Sequence, residues 1–267
     1  VHLRGNLDVA VGLRHARDVA RRLERGHGLA TRDPHGVELV AAGRRDDALA
    51  EGDERGLRRG LRQARHAAQW RDEQADNAAA LFLIEAELLK GVGSDQDAMA
   101  VYDGALRQFQ GNPDLLYARA LHAASMDRVD ILERDLTAVL EKDPTNAEAL
   151  NALGYTLADR TDRYAEALGY IQRAMEIKPD EAAILDSMGW VQYRLGNLQE
   201  ALRYLRRAVE RTRDGEIAAH LGEVLWAMGE RDEAWRVWEG ALAEFPDHAY
   251  LLRVVGRHRV TSTENGK

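Results

Sequence analysis

NAEALNALGYTLADRTDRYAEALGYIQRAMEIKP (Asn146–Pro179), EAAILDSMGWVQYRLGNLQEALRYLRRAVERTR (Glu181–Arg213) and GEIAAHLGEVLWAMGERDEAWRVWEGALAEFP (Gly215–Pro246) are one pattern written three times. A glycine in the first half recurs at Gly154, Gly189 and Gly222, in steps of 35 and 33 residues. An alanine in the second half recurs at Ala167, Ala201 and Ala234, and another at Ala174, Ala208 and Ala241. Each unit carries two apolar stripes of helical spacing, separated by a turn such as Gly196-Asn197 or Gly229-Glu230. Small residues at the glycine and first alanine let two antiparallel helices approach closely, and the second alanine lets the next unit nest against the pair. A period of this length with this layout predicts an all-α helical solenoid.

These residues resemble the tetratricopeptide (TPR) repeat. The family pattern is met in the first unit by Leu150, Leu153-Gly154, Leu157, Ala167, Ile171, Ala174 and Pro179. The last unit meets it with Leu221-Gly222, Leu225, Ala234, Trp238, Ala241 and Pro246. The first unit has one extra residue within Asp159–Arg163, which predicts a longer turn between its helices, and the middle unit has Arg213 where the closing Pro is usual. The resemblance implies a right-handed superhelical solenoid of antiparallel helix pairs.

Upstream the pattern continues more weakly. Ala79–Asn112 supplies Phe82, Ala86, Leu89, Ala98, Tyr102 and Ala105, and Pro113–Pro144 follows with Ala120, then Leu132 and Val139 at the two alanine positions. Downstream, His248–Arg259 reads as a final helix covering the apolar edge of the last repeat, a requirement of solenoid ends. The sequence thus predicts a solenoid of about five repeats plus a capping helix over 76–259, and a disordered polar tail over 260–267.

The first 75 residues differ in composition. They hold 15 Arg, no Lys and 12 acidic residues, a net of +3, which leaves −11 for the rest of a chain whose total is −8. All 8 Tyr and all 3 Phe lie beyond them, and Trp70 is their only aromatic. Leu7–Leu23 can be drawn as an amphipathic helix, whereas Gly52, Gly56 and Gly60 weaken any helix there. Two readings stay open for 1–75: a weakly helical, degenerate pair of hairpins, or a GC-rich reading frame translated out of register. The arginines alternate with Asp and Glu and lack aromatics for base stacking, so no nucleic-acid partner is expected.

Function classes can be trimmed further. The chain has no cysteine, which excludes disulfides and thiolate metal sites. It has no run of eighteen apolar residues, and it opens at Val1 without a signal-type apolar region. HExxH, GxSxG and phosphate-loop motifs are missing, and Gly91-Val92-Gly93 reads as an inter-helix turn. The expectation is a protein that is not an enzyme, with no cofactor, no metal and no small-molecule substrate. His122 and His220 are expected to be ordinary polar residues on repeat helices.

What remains is protein binding. In TPR proteins the first helix of each unit lines a concave groove, and the resemblance places Tyr117, Leu121, Asn151, Tyr155, Asp186, Trp190, Tyr193, Arg194, Glu223 and Trp226 there. Trp190 and Tyr193 are read as exposed interface aromatics, and Asp186 and Glu223 as carboxylates favouring basic segments over a partner's carboxylate terminus. The strings NALGYTLADRTDRYAEAL, ILDSMGWVQYRLGNLQEAL and HLGEVLWAMGERDEAW are also similar to the C-terminal repeats of proteobacterial TPR lipoproteins of the outer membrane, over about residues 76–258. That resemblance implies an adaptor on the periplasmic side, whose partners are a carboxyl-terminal processing protease and cell-wall hydrolases. Membrane attachment would need a lipid anchor that this chain lacks. The alternative is a cytoplasmic TPR co-regulator or assembly factor.

Overall fold

The computed structural model describes residues 78–264, which form eleven helices and no strand. Both readings of residues 1–75 lie outside the described residues. The helices are α1 (Ala78–Gly91), α2 (Asp95–Gln108), α3 (Pro113–Ser125), α4 (Val129–Lys142), α5 (Ala147–Arg160), α6 (Tyr164–Ile177), α7 (Ala182–Arg194), α8 (Leu198–Arg211), α9 (Gly215–Ala227), α10 (Arg231–Glu244) and α11 (Ala249–Glu264). The chain divides into two compact units, with His122 in one and Ala123 onward in the other.

In the unit that ends at His122, α1 and α2 form a hairpin. Its core is Phe82, Leu83, Ala86, Leu89, Ala98, Tyr102 and Ala105, joined by Leu115 of α3. Val92 and Gly93 make the turn, with Gly93 in the left-handed region at φ +75°, as an inter-helix turn requires. Asp95 offers its backbone carbonyl to His122 Nε2 at 2.8 Å, and the histidine is buried.

In the unit from Ala123 onward, α5–α6, α7–α8 and α9–α10 are hairpins, each closed by three residues. The predicted small residues are the contact points. A methyl on Gly154 would lie 2.6 Å from Ile171 Cγ1, and one on Gly189 would lie 2.5 Å from Leu205 Cγ. A methyl on Gly222 would fall inside the Trp238 indole. Each first helix therefore has a seat that one large side chain of its own second helix fills. Ala167, Ala174, Ala201, Ala208 and Ala234 are fully buried; Ala241 is only partly so.

Gly196 and Gly229 hold the α7–α8 and α9–α10 turns at φ +83° and +87°. The α5–α6 connection corrects the sequence reading. It has the same three-residue length, and the extra residue lengthens α5 to 14 residues against 13 in α7 and α9. Thr161 closes it instead of a left-handed glycine. Its hydroxyl donates to the Leu157 carbonyl at 2.6 Å and accepts from Arg163 N–H at 3.1 Å. Asn146 and Asp214 cap α5 and α9 with their side-chain oxygens. Helix α11 packs on α9 and α10, with Leu251, Val254 and Val255 buried. It runs on to Glu264, so the predicted disordered tail from residue 260 is helical as far as that residue.

Candidate protein-interaction site

The first helices α5, α7 and α9, with α11 beside α9, bring a polar and aromatic cluster together. At its centre His220 of α9 and Asp186 of α7 are both buried, and His220 Nδ1–H donates to the two carboxylate oxygens at 2.9 and 3.1 Å. Trp190, one turn beyond Asp186, stacks on the imidazole with ring centres 4.2 Å apart. Tyr250 of α11 meets the ring edge-on at 5.3 Å. The Tyr155 hydroxyl donates to Glu216 Oε1 at 2.8 Å, tying α5 to α9. Burial by itself would push His220 down, but the Asp186 charge and hydrogen bond, aided by Glu216 and Glu223, raise it from 6.5 to about 9. The pair is therefore a histidinium–carboxylate ion pair at neutral pH.

The ten groove residues are placed as follows. Tyr117 (buried) and Leu121 (half-buried) lie on α3, in the unit ending at His122. The other eight lie on α5, α7 and α9. Asn151 and Asp186 are buried, and Tyr155 is half-buried. Trp190 corrects the sequence reading: it is 6% exposed and forms part of the core, because His220 supplies a flat surface against it. Tyr193 leans on Trp190 at 5.2 Å and remains half-exposed. Trp226 is also half-exposed, standing on Trp238 at 5.9 Å and against His258 at 4.7 Å.

The expected acidic selectivity is corrected too. Asp186 is neutralised by His220, while Glu223 is buried, accepts from Arg257 Nη2 at 2.8 Å and lies 3.4 Å from the Tyr250 hydroxyl. Arg194 is likewise engaged, donating to the Tyr164 hydroxyl at 2.7 Å and to the Asp159 carbonyl at 3.2 Å. Three buried polar atoms on successive first helices have no hydrogen-bond partner among the described residues: Asn151 Oδ1, Trp190 Nε1 and His220 Nε2.

Sequence reasoning missed His220, Glu216, Tyr250 and Arg257. One signal for the first was present: His220 follows Asp186 by 34 residues, one repeat length, so the two fall on neighbouring first helices. Among the described residues no cluster of His, Asp and Glu is arranged to hold a metal ion, and no helix is long and apolar enough to cross a membrane.

This all-helical hairpin array is the fold of tetratricopeptide-repeat solenoids. Residues 145–214 match the family model for the tetratricopeptide repeat. A curated relative, the TPR repeat-containing protein PA4667 of Pseudomonas aeruginosa, is 49% identical over 153 residues, which is 57% of this chain. The matched stretch spans 26% of that relative's length, about a quarter. Among solved structures, the thermophilic TPR protein TTC0263 of Thermus thermophilus superposes with a TM-score of 0.60 at 23% identity, covering 67% of this chain and 98% of its own. A tetratricopeptide repeat protein of Parabacteroides merdae gives 0.62 at 18% identity, covering 95% and 87%. The fold is one of protein-interaction scaffolds, and no catalytic family is indicated.

Proposed function

We propose that the first helices α5, α7 and α9 form a docking face for a protein segment, and that the chain acts as an adaptor through it. The observation that carries this is the pair of half-exposed rings, Tyr193 and Trp226. Both pack on one core cluster, over rigid bases supplied by Trp190 and Trp238. Aromatic rings held this way lose little entropy on binding and are favoured anchors for a partner's apolar side chains. The unpaired Trp190 Nε1 and His220 Nε2 are donors beneath this face, and Asn151 Oδ1 is an acceptor; a small side-chain shift would let a partner's main chain pair with them.

The setting we propose is the bacterial envelope, on the periplasmic side of the outer membrane. The partners there would be a carboxyl-terminal processing protease and the cell-wall hydrolases it degrades. Support comes from the resemblance of the three repeats to outer-membrane TPR lipoproteins. Affinity capture of the protein from its own cells, followed by mass spectrometry, tests it. Recovery of a periplasmic protease supports the envelope reading, and recovery of cytoplasmic proteins alone overturns it in favour of a cytoplasmic co-regulator.

A further inference from the structure

Helix α11 is started by a histidine. His248 directly precedes Ala249, and its backbone carbonyl accepts from Leu252 N–H at 3.0 Å. Its side chain caps the helix, because Nδ1 accepts from Leu251 N–H at 3.2 Å, the bond that an N-cap oxygen usually takes. That bond needs Nδ1 unprotonated, so the neutral ring carries its proton on Nε2. The ring is buried and seated on Gly215 of α9, whose methyl would lie 2.7 Å from Cδ2, and Nε2 has no hydrogen-bond partner among the described residues. A second proton would remove the cap, bury a charge and set that charge at the positive end of the helix dipole.

The charged groups around the ring come from three elements. From α9 the Asp214 charge reaches it, but that carboxylate already accepts from Glu216 N–H and Ile217 N–H, and Glu216 accepts from the Tyr155 hydroxyl. At the end of α10 Glu244 pairs with Arg213 at 3.5 Å, and Asp247, next in the chain, is exposed. On α11 the Arg253 guanidinium lies over the Tyr250 ring. Burial pushes His248 below 6.5 against the pull of Asp214. We propose that His248 is a pH-sensitive latch: its neutral ring holds α11 on α9, and its protonation in mildly acidic solution releases the helix. Helix α11 brings Tyr250 to His220, Arg257 to Glu223 and His258 to Trp226, so release dismantles one side of the ring face. Docking of a protein segment thereby becomes acid-labile, a consequence that rests on the docking face proposed above.

In the released state His248 regains its ordinary value. Opening of α11 is therefore unaffected above about 6.5 and grows as pH falls below it, by at most about tenfold per unit, until the folded value is passed. His220, raised to about 9, stays charged throughout this range. The test is hydrogen exchange of the full chain by mass spectrometry, corrected for intrinsic rates and read at residues 249–259 relative to residues 184–194. Between pH 7.5 and pH 5 the wild-type ratio should rise by about threefold or more. His248→Asn keeps a capping acceptor that does not titrate, and it should lose most of that rise. Both proteins retain His258, 3.9 Å from Glu223, so their difference isolates His248. His248→Ala lacks the cap and should exchange fast at both pH values. A wild-type ratio that is flat or falls in acid, or an equal rise in His248→Asn, overturns the latch. Should His248→Asn fail to fold at pH 7.5 by circular dichroism, the wild-type ratio decides in its place. No partner is present in this assay, so its failure leaves the docking face standing, and loss of the docking face leaves the latch standing.

Discussion

Replacing Asp186 with asparagine should make the stability of this protein depend on pH differently from the wild type. In the folded chain His220 is fully buried and raised from 6.5 to about 9. A raised folded-state pKa means that the protonated form is favoured by folding. The resulting stability is fully present below the unfolded value near 6.5 and is lost as pH rises through about 9. At about 1.4 kcal/mol per unit, the contribution is roughly 3 kcal/mol at pH 5.5, about 2–3 at pH 7, and under about 1 at pH 9. The asparagine side chain keeps the shape and one acceptor but removes the charge, so His220 becomes neutral in its buried site. The assay is denaturant unfolding followed by circular dichroism, for both proteins at pH 5.5, 7 and 9. The wild type should exceed the variant by the full amount at pH 5.5, equivalent to roughly 6–12 °C in melting temperature for a chain of this size. The two should converge by pH 9. A difference that stays constant from pH 5.5 to 9, or none at pH 5.5, would refute the buried ion pair.

Four further outcomes follow from packing and exposure. Ala201→Leu should destabilise by about 1–3 kcal/mol in urea unfolding, because Ala201 is fully buried where α8 meets α7. Gly222→Ala should lower the melting temperature, since its methyl would enter the Trp238 indole. Gly256→Ala should raise it, by up to about 1 kcal/mol of helix propensity, because that site is open. Trp190→Ala should cost about 3–5 kcal/mol in unfolding experiments, the cost of a buried aromatic rather than of an exposed anchor.

The fold was legible because its determinants repeat. Gly154, Gly189 and Gly222 and the alanines opposite them recur at one period, and each of the three glycines marks a place where a methyl would collide. The turn at Thr161–Arg163 was misread because an inserted residue can be absorbed by a helix as readily as by a loop. Spacing shows only that a residue has been added. The site was legible in its helices but not in its exposures. A first-helix position faces the groove whatever occupies it, yet whether Trp190 meets solvent depends on His220 one repeat away. The acidic character assigned to Asp186 and Glu223 failed for the same reason. Their charges are answered by His220 and Arg257, and partners from other repeats do not show in the local pattern.

The binding face can be tested directly with a photo-crosslinking amino acid placed at single positions in cells. Position 193 lies on first helix α7 and is half-buried, whereas position 206 lies on second helix α8 and is exposed. Docking on the first helices predicts crosslinks to a discrete partner from position 193 and none from position 206. Crosslinks to the same partner from position 206, with none from position 193, would contradict it and place binding on the second helices.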